Sequence, residues 1–167
     1  IDLSSLPIDF ISASAHKFYG PKGVGFAFIR KGLPIKSFLF GGEQERGKRA
    51  GTECIHNIVG MEEAFLLAYQ HLDKERTYIE GLKKYFIEKI RQEIPSIRFN
   101  GQSDNLQESA YTIVNLTLPV DEKKADVLLI FLDMRGIACS RGSACQSGSP
   151  QGSHVLRAIL PEKEWNH

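Results

Sequence analysis

Long apolar runs are missing from this sequence, and none approaches the roughly 20 residues that a membrane-spanning helix needs. Cysteine is scarce: Cys54, Cys139 and Cys145 make three, with no short paired spacing. An odd, scattered set excludes a disulfide framework and points to a reduced compartment, the cytoplasm. An excess of one charge is also lacking, since 21 Lys and Arg face 20 Asp and Glu and leave a net charge of +1. That balance excludes a nucleic-acid polyanion as the main partner. There is no signal-peptide pattern, no internal repeat and no low-complexity tract. No Gly-x-Ser-x-Gly elbow follows a long strand, which removes a serine-nucleophile reading.

The composition that remains is that of a soluble globular protein, 42% hydrophobic and 25% charged over 167 residues. This is enough for one good core or two small ones. The stretch with the most chemistry runs from Ser12 to Gly23. An apolar run, Ile8 to Ile11, leads into it and another, Val24 to Ile29, leaves it. Short apolar runs bounded by turn residues predict buried strands. Lys17 is therefore expected on a tight connection between two core strands. A low-dielectric site there would favour its neutral, nucleophilic amine, as Schiff-base chemistry requires. Ser14 and His16 stand ready to hold an anion or a ring beside it. The bland alternative is a solvated surface turn.

Residues 41–52 hold four glycines and three basic residues, the mark of an exposed loop with special backbone angles. No Gly-Lys-Ser/Thr follows at nucleotide-loop spacing, so the residues leave two readings open, an anion loop and a solvated basic loop. Apolar spacing then predicts helix from Ile55 to about Leu72 and from Asp73 to about Ile94, as one rod or two, with Pro95 ending it. A domain boundary is expected near Leu72, giving domains 1–72 and 73–167. Short strands are expected at Ile97–Asn100, Tyr111–Leu116 and Ile137–Cys139. A helix is expected from Ala125 to Met134, closed by Gly136. A last helix should begin at Ser153 with Val155, Leu156 and Ile159 inward. This alternation predicts a small α/β layer. The chain opens on core-like sequence and stops just after a helical pattern, so it reads as an internal piece of a longer protein.

The second chemical centre is Ser140 to Gly152, where Cys145 sits among small and polar residues. Such composition cannot bury a thiol, so Cys145 is expected to be reactive and on a loop able to swing. Cys139, ending an apolar strand, is the buried kind. Cys54 starts a helix, where a thiolate can be favoured. Zinc held by Cys139, Cys145 and His154 is disfavoured, because their spacing is not that of structural zinc sites.

Ser-x-His-Lys followed by Gly-Pro-Lys-Gly (14–23) resembles the cofactor-lysine segment of class V pyridoxal-phosphate enzymes of the aspartate aminotransferase fold. Gly-Gly-x-Gln-Glu-Arg-Gly-x-Arg-x-Gly-Thr (41–52) is similar to a motif of the cysteine desulfurases. Ser-x-Gly-Ser-Ala-Cys-x-Ser-Gly-Ser (140–149), with Leu156-Arg157-Ala158 after it, resembles the persulfide loop of their group I. The three motifs occur in the family's order and cover nearly the whole chain.

The resemblance implies an α/β fold: part of the large domain (1–72) and an incomplete small domain (73–167) of a fold-type I enzyme. It implies pyridoxal 5'-phosphate as cofactor, held by Lys17 as a Schiff base with Ser14, His16 and Thr52 around it. Thr52 would bind the phosphate of the neighbouring subunit, which implies a homodimer. The implied reaction converts L-cysteine to L-alanine and leaves the sulfur on Cys145 as a persulfide. The catalytic set would be Lys17, Cys145 and His16, with no metal. The sulfur would pass to a scaffold for iron–sulfur cluster assembly or to a carrier for tRNA or cofactor thiolation. The family's aspartate at the pyridine nitrogen, ring-stacking histidine and another phosphate-binding threonine lie upstream of this stretch, and its carboxylate-binding arginine lies downstream, so the 167 residues alone are expected to be inactive. Two alternatives stay open: selenocysteine lyase or another class V lyase, and a truncated module that only binds partners.

Overall fold

The computed structural model describes residues 2–142 and 153–161. The chain divides into two compact units, Ile1–Asp73 and Lys74–His167.

The first unit is built on a hairpin. Strand β1 (Phe10–Ser14) pairs antiparallel with β2 (Gly25–Ile29), with Phe10 opposite Ile29 and Ser14 opposite Gly25. Arg30, at the end of β2, fastens the segment that precedes β1. Its guanidinium donates to the carbonyls of Leu3, Leu6 and Ile8 at 3.1, 2.9 and 2.7 Å and pairs with Asp9 at 3.2 Å.

The strands form where their apolar runs suggest, but they are not buried. Phe10 is 53% exposed and Phe26 40%, and Ala15 is the only fully buried apolar residue of this unit among those described. The expectation of two core strands is corrected here. Of the hairpin's aromatic side chains, Phe26 meets the helix that follows, packing edge-on against Phe65 at 6.2 Å.

That helix, α1 (Ile55–Glu93), is a single rod of 39 residues. It runs on because no helix-breaking proline interrupts it until Pro95. The unit boundary at Asp73 falls inside it.

In the second unit, Lys83 and Ile87 lie one turn apart on α1 and are both buried. The Lys83 ammonium donates to Ser109 Oγ at 2.7 Å and to the Ala110 carbonyl at 2.9 Å, which satisfies a charge that burial would otherwise penalise. Strands β3 (Arg98–Phe99) and β4 (Leu116–Thr117) are two-residue strands in antiparallel register. Around them Asn100 donates to Asn115 Oδ1 at 2.7 Å, and Thr117 Oγ1 donates to Asn100 Oδ1 at 3.1 Å. The expected strand Tyr111–Leu116 shrinks to its end, because only Leu116 and Thr117 find a partner.

Helix α2 (Glu122–Met134) starts earlier than the apolar spacing suggests, because Asp121 caps it by accepting the Lys124 N–H at 3.0 Å. It closes as expected at Gly136, in the left-handed region at φ 75°. The Ile137 N–H bonds Leu132 O at 2.9 Å and the Gly136 N–H bonds Asp133 O at 2.8 Å, a Schellman closure.

Residues 137–139 form no strand, and Cys139 is exposed, contrary to expectation; among the described residues no partner strand covers it. Helix α3 (His154–Ile159) is capped by Ser153 Oγ, which accepts the Leu156 N–H at 3.3 Å. Leu156 is half-buried, while Val155 and Ile159 are about half exposed rather than inward. No described helix is long and apolar enough to cross a membrane.

Candidate active site

Ser14, His16 and Lys17 come together on one turn, and Ala15 is its pivot. Ala15 is 0% exposed. Its N–H donates to Val24 O at 3.0 Å, while its carbonyl accepts from Phe18 N at 3.0 Å and Gly20 N at 2.9 Å. The two sides of the turn approach so closely that a Cβ on Gly20 would stand 2.9 Å from Ala15 Cβ. Tyr19, at φ 67°, takes a left-handed conformation that costs a side-chain-bearing residue about 1–2 kcal/mol. Ser14 stands at the N-cap of the short 3-10 turn Ala15–Lys17, yet its hydroxyl makes no capping bond. His16, Lys17 and Ser14 are all exposed, so the expected low-dielectric pocket around Lys17 is not formed by these residues.

The glycine-rich loop builds a second feature. A shallow, open hollow is lined by Leu39, Phe40, Gly41, Gly42, Gln44, Arg49, Ala50, Gly51 and Thr52. Three successive residues, Glu45, Arg46 and Gly47, have φ of 49°, 58° and 73°. For Glu45 and Arg46 this is strain, and the turn is held by Gly47 N–H to Glu43 O at 3.0 Å and Lys48 N–H to Glu45 O at 3.1 Å. Here Gly51 N–H donates to Gln44 Oε1 at 3.1 Å, and Ala50 N–H donates to Leu39 O at 3.3 Å. Gln44 must pass close to the backbone to do this, since a Cβ on Gly42 would lie 2.5 Å from its Oε1. A guanidinium, a hydroxyl and glycine backbone on one concave wall suit an anion. The lining contains none of Ser14, His16 or Lys17, so the two features are separate within this chain.

Cys145 lies outside the described residues, as do the other residues of 143–152. Their described neighbours are adjacent: a Cβ on Gly142 would stand 3.3 Å from Ser153 Cβ. Among the described residues no group of three His, Cys, Asp or Glu side chains is placed to hold a metal ion. Sequence reasoning did not anticipate that Cys54 Sγ lies 3.2 Å from His56 Nε2 at the start of α1. A two-residue separation at a helix start carries no periodic signal for such a contact.

Pyridoxal phosphate needs an amine for its carbonyl and donors for its phosphate: Lys17 carries an amine on the turn held close by Ala15 and Gly20, whereas Arg49 and Thr52 line the separate glycine-loop hollow, so within this chain the two requirements are met on different features.

The family described as class-V aminotransferases matches residues 1–159. A cysteine desulfurase IscS of Dictyoglomus turgidum is 41% identical over 167 residues, covering 100% of this chain and 41% of the relative. A cysteine desulfurase IscS of Clostridium botulinum strain Hall is 43% identical over 164 residues, 98% of this chain and 41% of the relative. The solved structure of a NifS-like protein superposes with a TM-score of 0.80 at 30% identity, over 99% of this chain and 40% of that one. The chain thus spans about two fifths of the length of the curated relatives it matches.

Proposed function

We propose that the protein containing this chain, which belongs to the class-V aminotransferases, is a cysteine desulfurase that converts L-cysteine to L-alanine and carries the sulfur away on Cys145. The observation that carries this reading is the turn that gathers Ser14, His16 and Lys17 around the buried Ala15. Residues 1–72 are read as the end of the cofactor-binding large domain of a fold-type I enzyme. Residues 73–167 are read as its small domain.

Lys17 would hold pyridoxal phosphate through its amine, and Ser14 and a partner's Thr52 would bind the phosphate. When bound, the cofactor supplies an electron sink for the substrate's α-carbon. The Lys17 amine would move the proton at Cα, and His16 would move the proton at the substrate thiol. The Cys145 thiolate forms an S–S bond to the substrate sulfur as the C–S bond breaks. The electron pair stays on the carbon skeleton, which takes up a proton and leaves as alanine. Cys145 keeps the sulfur as a persulfide for a scaffold or carrier protein in iron–sulfur assembly or thiolation.

A homodimer is supported by the apolar surface near the glycine loop. Phe38 is 94% exposed, Phe40 86% and Ile55 71%, and burying each would gain about 1.5–3 kcal/mol. The cytoplasm is the compartment that fits an odd number of cysteines, with Cys54 and Cys139 free among the described residues.

Mass spectrometry of the full-length protein incubated with L-cysteine tests the reading. An added sulfur on the Cys145 peptide, and loss of alanine formation in Cys145→Ser, are expected. Sulfur on Cys54 or Cys139 with Cys145→Ser still turning over refutes it.

A further inference from the structure

Helix α1 touches the lysine turn at two points just after the lysine. Before Pro21, the Phe18 ring meets Phe65 edge-on, with centroids 5.9 Å apart and planes at 79°. At Pro21 itself the helix has no side chain to offer. An added Cβ on Gly60 would stand 2.8 Å from Pro21 Cγ and 3.4 Å from Pro21 Cδ. The proline ring therefore seats directly against the helix.

We propose that Gly60 is a positioning residue for Lys17: its missing side chain sets how closely the turn packs against α1, and so where the amine stands. The inference rests on the reading of Lys17 as the cofactor lysine. Carbon atoms not bonded to one another settle at about 3.5–4.0 Å. A methyl on Gly60 would thus push Pro21 away by about 1 Å. The turn cannot absorb that push locally. The φ of Pro21 is fixed by its ring. Gly20 is hydrogen-bonded to Ala15 O at 2.9 Å, as is Phe18 at 3.0 Å. Tyr19 is already held at φ 67°. The push therefore moves the bonded turn as a unit, with Lys17 inside it. A displacement of about 1 Å at a reacting group can cost about 100-fold in rate.

Helix propensity argues the opposite sign, because alanine is preferred over glycine in a helix interior. The same helix carries its own control. A Cβ on Gly81 would meet nothing within 4 Å, so alanine is free to follow propensity there.

The experiment is a cycle in the full-length protein: Gly60→Ala, Pro21→Ala, the double variant and Gly81→Ala. Three quantities are measured: affinity of the apo protein for pyridoxal phosphate, amide hydrogen exchange of residues 15–23 without cofactor, and the thermal midpoint. Gly60→Ala should weaken affinity at least tenfold and speed exchange in the turn. The double variant, which removes Cγ and Cδ of residue 21, should return both to the level of Pro21→Ala. Gly81→Ala should change neither. If Gly60→Ala does not fold, a double variant that folds and binds the cofactor supports the proposal. One that does not overturns it. Unchanged affinity and exchange in Gly60→Ala, with only a lower midpoint, overturns it too. If the unaltered protein does not take up pyridoxal phosphate, the functional reading fails, while the exchange data still decide the role of Gly60.

Discussion

Gly25 passes Ala13 so closely that a Cβ on Gly25 would lie 2.2 Å from the Ala13 carbonyl oxygen. Gly25 also sits opposite Ser14, the last residue of β1 before the lysine turn. The close pass therefore decides the register in which the hairpin presents Ser14, His16 and Lys17.

Gly25→Ala should break that register. Overpacking of this kind costs about 1–3 kcal/mol, and the fall should appear in the urea midpoint together with weaker cofactor uptake. Gly23→Ala is the comparison: a Cβ there meets nothing within 4 Å and suffers only from φ 82°, a cost of about 1 kcal/mol. Equal losses in the two variants would mean that the Ala13 contact is unimportant.

Lys17→Ala should abolish covalent retention of pyridoxal phosphate and lower turnover by about 1000-fold or more. Borohydride reduction of the full-length protein followed by peptide mapping should label Lys17. A label on Lys22, five positions along the same turn region, would reassign the amine.

Thr52 should act on a neighbouring subunit. Mixing a Lys17→Ala protein with a Thr52→Ala protein yields heterodimers with one intact and one doubly damaged site. Recovery to about a quarter of full activity is expected, because half the dimers of a statistical mixture carry one intact site. No recovery after verified subunit exchange would place Thr52 at its own subunit's site or at none.

Asp121 should make the second unit acid-sensitive. Its carboxyl is held below the ordinary value of 3.8, first by the Lys124 backbone N–H and then by the Lys124 side chain. A folded-state pKa depressed in this way stabilises above 3.8 and loses that contribution as pH falls through the folded value. Urea midpoints measured from pH 6 down to pH 2 should therefore fall more steeply in the unaltered protein than in Asp121→Asn. Parallel profiles would show that the cap does not titrate with folding.

Local features were legible because local energetics sets them. The apolar spacing from Ile58 to Ile90 predicts helix, and α1 is helical throughout. Gly136 was readable as a C-cap because a left-handed residue after an amphipathic helix needs no distant partner. The chemistry-bearing turn was readable for the same reason: Ser14, His16 and Lys17 lie within four consecutive positions, so any tight turn gathers them.

Pairing and burial were not legible, since both depend on residues remote in sequence. Tyr111–Leu116 and Ile137–Cys139 have strand-like composition, but a strand needs a partner for its N–H and C=O groups. The partner ladder reaches only Leu116 and Thr117. Burial of Cys139 and of the hairpin failed with it, because an apolar side chain is covered only where tertiary packing brings another surface. The sequence by itself thus determined α1, the Gly136 cap and the grouping of Ser14, His16 and Lys17, all interactions within a few residues. Only the tertiary structure decided that Pro21 rests on Gly60 and Phe18 on Phe65. Those contacts join segments some forty residues apart, and close packing between such segments depends on how the backbones meet.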